Sequence, residues 1–295
     1  MKTTSLTQIE HCKQNPNATP ESIQQFYDEA TEDYTFWSKD FNMHFGYYSY
    51  GRTNPLRRDT MLNEMNRQIM LRLKLPDSPA MVADLGCGMG GTMRYMMERN
   101  PSLSMMGVTL SEFQVSEGNL RLQELPGVII KENFCHTSLS NDSQDGAIAI
   151  ESFCHTGHNY ETLKEAHRIL KKGSSLVIAD AFLKKTPDTL CLGSKYSYQG
   201  LCKGWSLDGL GVISEVEQHL KSMGFSNVTI EDISMKVAPS VLHVPFAIPG
   251  FLLKQLCRGK GVKKQSWNNL KASLYSLTAG LHRSAFGYYI ITATK

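Results

Sequence analysis

From Ala80 onward the sequence alternates short apolar runs with helical patterns, and this rhythm restricts the fold more than any other feature. "MVADLGCG" (81–88), "LSMMGVTL" (103–110), "GVIIKENF" (127–134), "DGAIAIESF" (145–153) and "SSLVIADAF" (174–182) are apolar along most of their length. Near-continuous apolar runs are the pattern of strands buried on both faces. Between most of them lie "GTMRYMMERN", "EFQVSEGNLRLQE" and "NYETLKEAHRILKK", which have the length and spacing of crossover helices. Parallel strands need such crossovers, so the expectation is an α/β, doubly wound sheet covered by helices on both faces. "ISEVEQHLKSMGFSNVTIEDIS" (213–234) adds a helix and a strand, and "FGYYIITATK" (286–295) reads as a last strand.

The rest of the chain divides around this core. A polar tail (1–20) precedes an aromatic helical lid (21–79) that crowds Phe26, Tyr27, Tyr34, Phe36 and Trp37 into a short space and continues into "NMHFGYYSYG". Within the lid, Met61, Met65, Ile69 and Leu73 recur at helical spacing and read as core packing. The cofactor-binding core (80–182) is followed by a cap insertion (183–212), a core helix and strand (213–234), a substrate cap (235–285) and the last core strand (286–295). No repeat of 20–50 residues runs through the chain.

Composition narrows the function classes. The 295 residues carry 31 basic against 28 acidic side chains, a net charge of +3, far from the one-sided field of a dedicated nucleic-acid binder. A small molecule is the expected partner. The seven cysteines form no CxxC pair, which suits a reducing, cytoplasmic setting. "MKTTSLTQIEHCKQNPNATP" lacks the apolar segment of a secretory signal. No run approaches the roughly 18 apolar residues of a membrane span, although "SVLHVPFAIPGFLLKQL" (240–256) is apolar enough to wall a pocket.

The chemistry is signalled by "DLGCGMGG" (84–91), a strand, a glycine turn and a helix start. Gly86, Gly88 and Gly91 satisfy G-x-G-x-x-G, which dinucleotide and S-adenosylmethionine sites share. A nicotinamide site expects an acid at the end of the second strand to hold ribose hydroxyls. The sequence there is "GVTLSEFQ", with Thr109, Ser111 and Gln114 as hydrogen-bonding groups and no acid at the strand end.

Asp84 before the turn, "GVTLSEFQ" after the second strand and "EAHRILKKGSSLVIAD" (165–180) together resemble the class I S-adenosylmethionine methyltransferases. "GVTLSxxQ" and the upstream "NMHFGYY" resemble the branch that methylates sterols, tocopherols, quinones and prenyl diphosphates. The likeness runs from about residue 26 to the end of the chain. It implies a seven-stranded Rossmann-like sheet of order 3-2-1-4-5-7-6 with an N-terminal helical lid and a helical substrate cap. It also implies that Asp84, Gly86 and Gly88 meet the methionine end of S-adenosylmethionine, and that Thr109, Ser111 and Gln114 stand near ribose and methionine. Asn133 and Phe134 take the adenine end, where many relatives carry an acid. Glu151, ending the fourth strand, would lie closest to the transferred methyl. Tyr27, Tyr34, Trp37, His44 and Tyr47 would belong to the lid, with Tyr27 and Tyr34 on the cofactor and Trp37 and Tyr47, like Phe153 and Tyr196, on the acceptor.

Each assignment has a structural rival. Asp84 could simply cap the glycine turn, Glu151 could be a salt-bridged strand end, and His44 could be a satisfied buried histidine. "ENFCHT" (132–137) returns as "ESFCHT" (151–156), which invites a metal site from Cys135, His136, Cys154, His155 and His158. Adjacent residues of an extended segment point to opposite sides, and in the sheet order above two strands part the two exits, so no metal is assigned. His155 or His158 as an acceptor base is the better use of the echo. An oxygen or nitrogen acceptor would need such a base, or His44. A carbon acceptor would instead need aromatic faces and a carboxylate, for which Phe36, Trp37, Tyr47, Phe153 and Glu151 are suited. The expectation is C-methylation of a hydrophobic isoprenoid by S-adenosylmethionine, with Mg²⁺ if the acceptor is a prenyl diphosphate. O- or N-methylation of a quinone or phenol, and an NAD(P)-dependent oxidoreductase, are the alternatives. The basic run Lys254, Arg258, Lys260, Lys263 and Lys264 would face a diphosphate, an anionic membrane in peripheral contact, or solvent.

Overall fold

The computed structural model describes residues 19–30, 34–156, 160–257, 259 and 261–295. Its centre is one seven-stranded sheet: β1 (Ala80–Leu85), β2 (Leu103–Thr109), β3 (Gly127–Lys131), β4 (Gln144–Ile150), β5 (Leu170–Leu183), β6 (Ser226–Asp232) and β7 (Phe286–Thr294). The spatial order is β3-β2-β1-β4-β5-β7-β6. The first five strands are parallel, and β7 runs antiparallel to both β5 and β6. The apolar runs are buried strands because alternate residues feed two different cores. Ala147 and Ala149 of β4 join Leu176 and Ile178 on one face, while Ile148 and Ile150 join Val177 and Ala179 on the other.

Helices cover both faces. α3 (Arg58–Arg72) and α4 (Gly91–Met97) supply Met65, Ile69, Met93 and Met96 to one core. α6 (Glu161–Ile169) and α8 (Ile213–Ser222) supply Leu163, Ala166, Val216 and Leu220 to the other. α5 (Glu112–Leu122) crosses from β2 to β3. Before the sheet lie α1 (Pro20–Ala30) and the short α2 (Tyr34–Trp37). α7 (Leu192–Gly204) follows β5 and packs on α11 (Lys264–Leu281).

Between β6 and α11 come α9 (Ser234–Val241) and α10 (Val244–Cys257), with Pro239 and Pro249 inside them. Together they form a stretch, Ser234–Cys257, long and apolar enough to cross a membrane by length and composition. The expectation that no run approaches the length of a membrane span is corrected by this stretch, in which two successive helices join. α9 is nonetheless built into the fold: Val237 and Ser240 are buried, and the Lys236 carbonyl accepts from Tyr48 N–H at 2.7 Å.

Candidate functional site: two cavities that share a wall

The glycine turn leaves β1 beside the ends of β2 and β4, with Asp84 paired to Gly107 and Ile148. Gly86 has φ +94°, a left-handed conformation that suits glycine, and a Cβ there would lie 2.3 Å from Ser152 Cβ. Gly91 is needed for a different contact from the one its place in the motif suggests. A Cβ would come 2.8 Å from the carbonyl oxygens of Asp40 and Phe41, so the third glycine admits the segment before the sheet rather than tightening helix against strand.

Beyond the turn opens a cavity of about 340 Å³, lined among others by Asp84, Gly86, Gly88, Thr109, Gln114, Asn133, Phe134 and Ser152. Thr109 Oγ1 donates to Gln114 Oε1 at 2.6 Å, and Asn133 Oδ1 accepts from Cys135 N–H at 3.0 Å. Asp84 is almost fully buried, and among the described residues no group donates a hydrogen bond to its carboxylate. Burial alone pushes this carboxyl up to about 7. A buried acid without a donor is an incomplete site: a cationic ligand group would complete it.

A second cavity of about 370 Å³ lies toward the cap. Its walls include Phe36, Trp37, Leu201, Val244, Phe251 and Leu277. Five residues line both cavities: Tyr27, Met43, His44, Glu151 and His155.

Glu151 sits at the centre of this shared wall. Its φ of +49° is a left-handed conformation costly for a side chain with a Cβ, while its N–H still pairs with the Ala179 carbonyl at 2.9 Å. Oε1 accepts from Phe45 N–H at 2.6 Å and from the Tyr288 hydroxyl at 2.7 Å, leaving Oε2 without a partner among the described residues. Burial, reinforced by the nearby Asp180 carboxylate, raises Glu151 to about 8. Asp180 accepts from Cys154 N–H and Ala181 N–H and is itself raised to about 7 by burial. His155 Nε2 shares a 2.8 Å hydrogen bond with the Tyr27 hydroxyl, and burial lowers this imidazole to about 4.

His44 is held at both ring nitrogens, Nδ1 by the Phe45 carbonyl at 2.9 Å and Nε2 by Asn66 Oδ1 at 3.0 Å. Burial lowers its pKa against these two bonds. With both ring nitrogens directed at protein groups, His44 braces the wall and faces no acceptor.

Several expected site residues lie elsewhere. Ser111 is outside the lining of the smaller cavity: its hydroxyl caps α5 by accepting from Gln114 N–H and also bonds Asp28. Tyr47 packs against the core under α3. Phe153 is fully buried against Phe182, ring centroids 5.8 Å apart. Tyr196 is 65% exposed and bonds the Tyr275 hydroxyl, because α7 buries the face carrying Ser194, Ser197 and Leu201. None of these three lines the larger cavity, whereas Trp37 does. The Tyr34 side chain and His158 lie outside the described residues. The two FCHT copies follow β3 and β4, strands parted by β2 and β1, and among the described residues no group of three or more His, Cys, Asp or Glu could hold a metal.

Sequence reasoning missed Met43, Ser152, Asp180 and Tyr288. Asp180 carried the same signal as Glu151, an acid late in an apolar run. Ser152 Oγ ties the end of β4 to the Leu85 carbonyl. Tyr288 comes from β7, more than a hundred residues away, and had no local signal.

Three buried acids with raised pKa values have a thermodynamic consequence. Folded protein keeps protons on Asp84, Asp180 and Glu151 up to about 7, 7 and 8, whereas unfolded chain releases them near pH 4. Their stabilisation is therefore complete below pH 4 and is lost as pH rises through the folded values. His155 and His44, both lowered, act in the opposite sense only below about 6.5. Ligand-free protein is expected to lose thermal stability between about pH 6.5 and 8, read as a falling Tm by calorimetry. A flat or rising Tm over that range would remove the case for protonated acids at the wall.

Residues 83–178, the segment that holds the glycine turn and the exits of β1 to β4, match the family model described as a methyltransferase domain. Among curated proteins, 24-methylenesterol C-methyltransferase 2 of Arabidopsis thaliana is 27% identical over 226 residues, covering 73% of this chain and 59% of its own. The chain thus spans under two thirds of that relative's length. The 27-O-demethylrifamycin SV methyltransferase of Amycolatopsis mediterranei is 24% identical, with 94% of this chain and 98% of its own covered. Among solved structures, the cyclopropane synthase MmaA2 from Mycobacterium tuberculosis shares the fold, with TM-score 0.77, 17% identity and coverage of 94% and 98%.

Proposed function

We propose that this chain transfers the methyl group of S-adenosylmethionine to a carbon atom of a neutral, hydrophobic, isoprenoid-type acceptor held in the larger cavity. One observation carries the reading: two cavities meet at a wall made of Tyr27, Met43, His44, Glu151 and His155. A donor in one and an acceptor in the other would then react across a short gap, where proximity and orientation supply most of the rate.

The smaller cavity fits the donor through Asp84, whose carboxylate needs the cation that a methionine ammonium would provide, and through Gly86 and Gly88, whose backbones line it. When bound, the sulfonium supplies an electrophilic methyl group. The alkene's π electrons would form the new carbon–carbon bond as the sulfur–methyl bond breaks, leaving positive charge on the acceptor. Phe36, Trp37 and Phe251 present aromatic rings to that charge from the larger cavity. Glu151 Oε2, without a donor among the described residues, would take the proton that restores the alkene. Nearby positive charge favours the carboxylate form, so the approach of the cation itself readies the base.

Among the described residues, Arg283 is the one Lys or Arg side chain lining the larger cavity, a thin counter-charge for a diphosphate. No residues are assigned to Mg²⁺, and the neutral acceptor is preferred. Support for carbon comes from the sterol C-methyltransferase relative. His155 favours a second reading: it stays neutral at physiological pH beside the Tyr27 hydroxyl, as a base for O-methylation would, and the rifamycin relative is named for an O-demethyl substrate.

Calorimetric titration with S-adenosylmethionine and, separately, with NADH tests the foundation. Micromolar binding of the first alone is expected, followed by methyl uptake in a screen of isoprenoid alkenes, sterols and quinols. Product NMR then separates carbon from oxygen methylation, and binding of NADH alone ends the methyltransferase reading.

A further inference from the structure

After Asp232 the remaining 63 residues contain nine Lys or Arg and no Asp or Glu, so the first 232 carry 22 basic against 28 acidic. The near-neutral total hides a strongly polarised chain. Among the described residues, Lys236, Lys254, Lys264 and Lys271 form no ion pair with an acid.

This positive region also carries an apolar stripe turned to solvent. Leu242, Phe246, Pro249, Leu253 and Leu256 follow one another at intervals of three or four residues, the spacing of a single helical face, and all are exposed. Phe246 is 80% and Leu256 76% exposed. The inward side of α10 is apolar too, with Val244 and Phe251 buried. A helix apolar on all sides belongs in a core or in lipid, yet only 22% of the most apolar window in Ser234–Cys257 is buried.

We propose that α10 and its basic surroundings dock this protein on an anionic bilayer surface, with the exposed stripe inserted among the acyl chains and the lysines among the headgroups. Lying on the membrane fits better than spanning it. α10 alone is about 21 Å long against a hydrocarbon thickness of about 30 Å, and α9 is held in the fold by its buried face. A second copy of this chain is a poor occupant, since pairing two such ends would bring like charges together. An anionic lipid surface satisfies charge and apolarity at once. The position has a use: Leu242, Val244, Ala247, Ile248 and Phe251 of the same segment line the larger cavity, as does the exposed Leu281. A lipid-soluble acceptor would pass from bilayer to cavity without crossing water. This last step rests on the acceptor reading above; the docking does not.

The test uses the full chain, without cofactor or acceptor, in sedimentation with vesicles of phosphatidylcholine alone and of phosphatidylcholine mixed with phosphatidylglycerol. The protein is expected to sediment with the mixed vesicles at low salt and to be released as salt screens the lysines. Phe246→Ser and Leu253→Ser, both outside the cavity lining, should each lower the partition coefficient about tenfold, the loss expected on withdrawing a large apolar side chain. Circular dichroism and calorimetric binding of S-adenosylmethionine check that the variants are folded. Wild-type protein that stays in the supernatant with both vesicle types, or variants that sediment as well as wild type, overturns the proposal. So does a wild-type dimer in analytical ultracentrifugation that these substitutions dissociate, which would give the stripe to a second copy. Vesicle binding without S-adenosylmethionine binding would instead sink the methyltransferase reading and leave the docking intact.

Discussion

Asp84→Asn is expected to weaken S-adenosylmethionine binding by about 100- to 1,000-fold, the loss that follows from removing one partner of a buried charge pair worth about 3–5 kcal/mol when broken. The substitution keeps the shape of the side chain and removes only its charge. In the ligand-free protein that charge has no protein donor and is disfavoured by burial. Binding should therefore collapse while the Tm of ligand-free protein at pH 8 holds or rises. This opposite movement separates a ligand-holding acid from one that caps the glycine turn, whose loss would lower both. Isothermal titration and differential scanning calorimetry on the same samples supply the two numbers. Near-normal affinity in the Asn variant would leave Asp84 as a structural residue.

Glu151→Gln is expected to do the reverse, leaving cofactor affinity near wild type and cutting kcat by about 100-fold or more, the contribution of a positioned general base. A glutamine can still accept at Oε1 from Phe45 N–H and the Tyr288 hydroxyl, so the strained end of β4 stays as it is. Its amide nitrogen, in the place of Oε2, cannot take a proton. The fall of Tm between about pH 6.5 and 8 should become shallower in this variant, because one of the three raised acids is gone. Unimpaired turnover of the true acceptor would move the proton to His155 and favour oxygen methylation. The two substitutions thus divide the wall into a holding function and a reacting function.

Much of the fold was legible because buried parallel strands must be apolar throughout, and "DGAIAIESF" or "SSLVIADAF" can be little else. The antiparallel return of β7 was not written in its own residues; the sheet order came from the resemblance. In the site, the residues read most directly are those at strand exits, where position along the chain and position in space coincide: Asp84, Gly86, Gly88, Thr109 and Glu151 all line a cavity. Ser111 misled because a polar residue near a strand end looks available. Yet Ser111-x-x-Gln114 is also a capping-box pattern, and Ser111 is spent on the helix. The aromatic assignments divided for a geometric reason. Composition counts rings but does not say which way they face, so Trp37 reached the larger cavity while Tyr47, Phe153 and Tyr196 did not. Tyr288 and the α11 wall arrive from the distant end of the chain, through contacts that no local pattern encodes.

Three of the five residues that separate the cavities, Tyr27, Met43 and His44, come from chain that precedes every strand, and much of the larger cavity comes from residues 234–286. The glycine turn and the strand exits, by contrast, belong to the sheet. Scaffold and selectivity therefore occupy different lengths of one gene product. On the proposed reading, substitutions after residue 233, where none of the described lining of the smaller cavity lies, would change the choice of acceptor while the donor pocket is inherited unchanged, and a lineage of such proteins could diversify its products without having to solve its folding problem again.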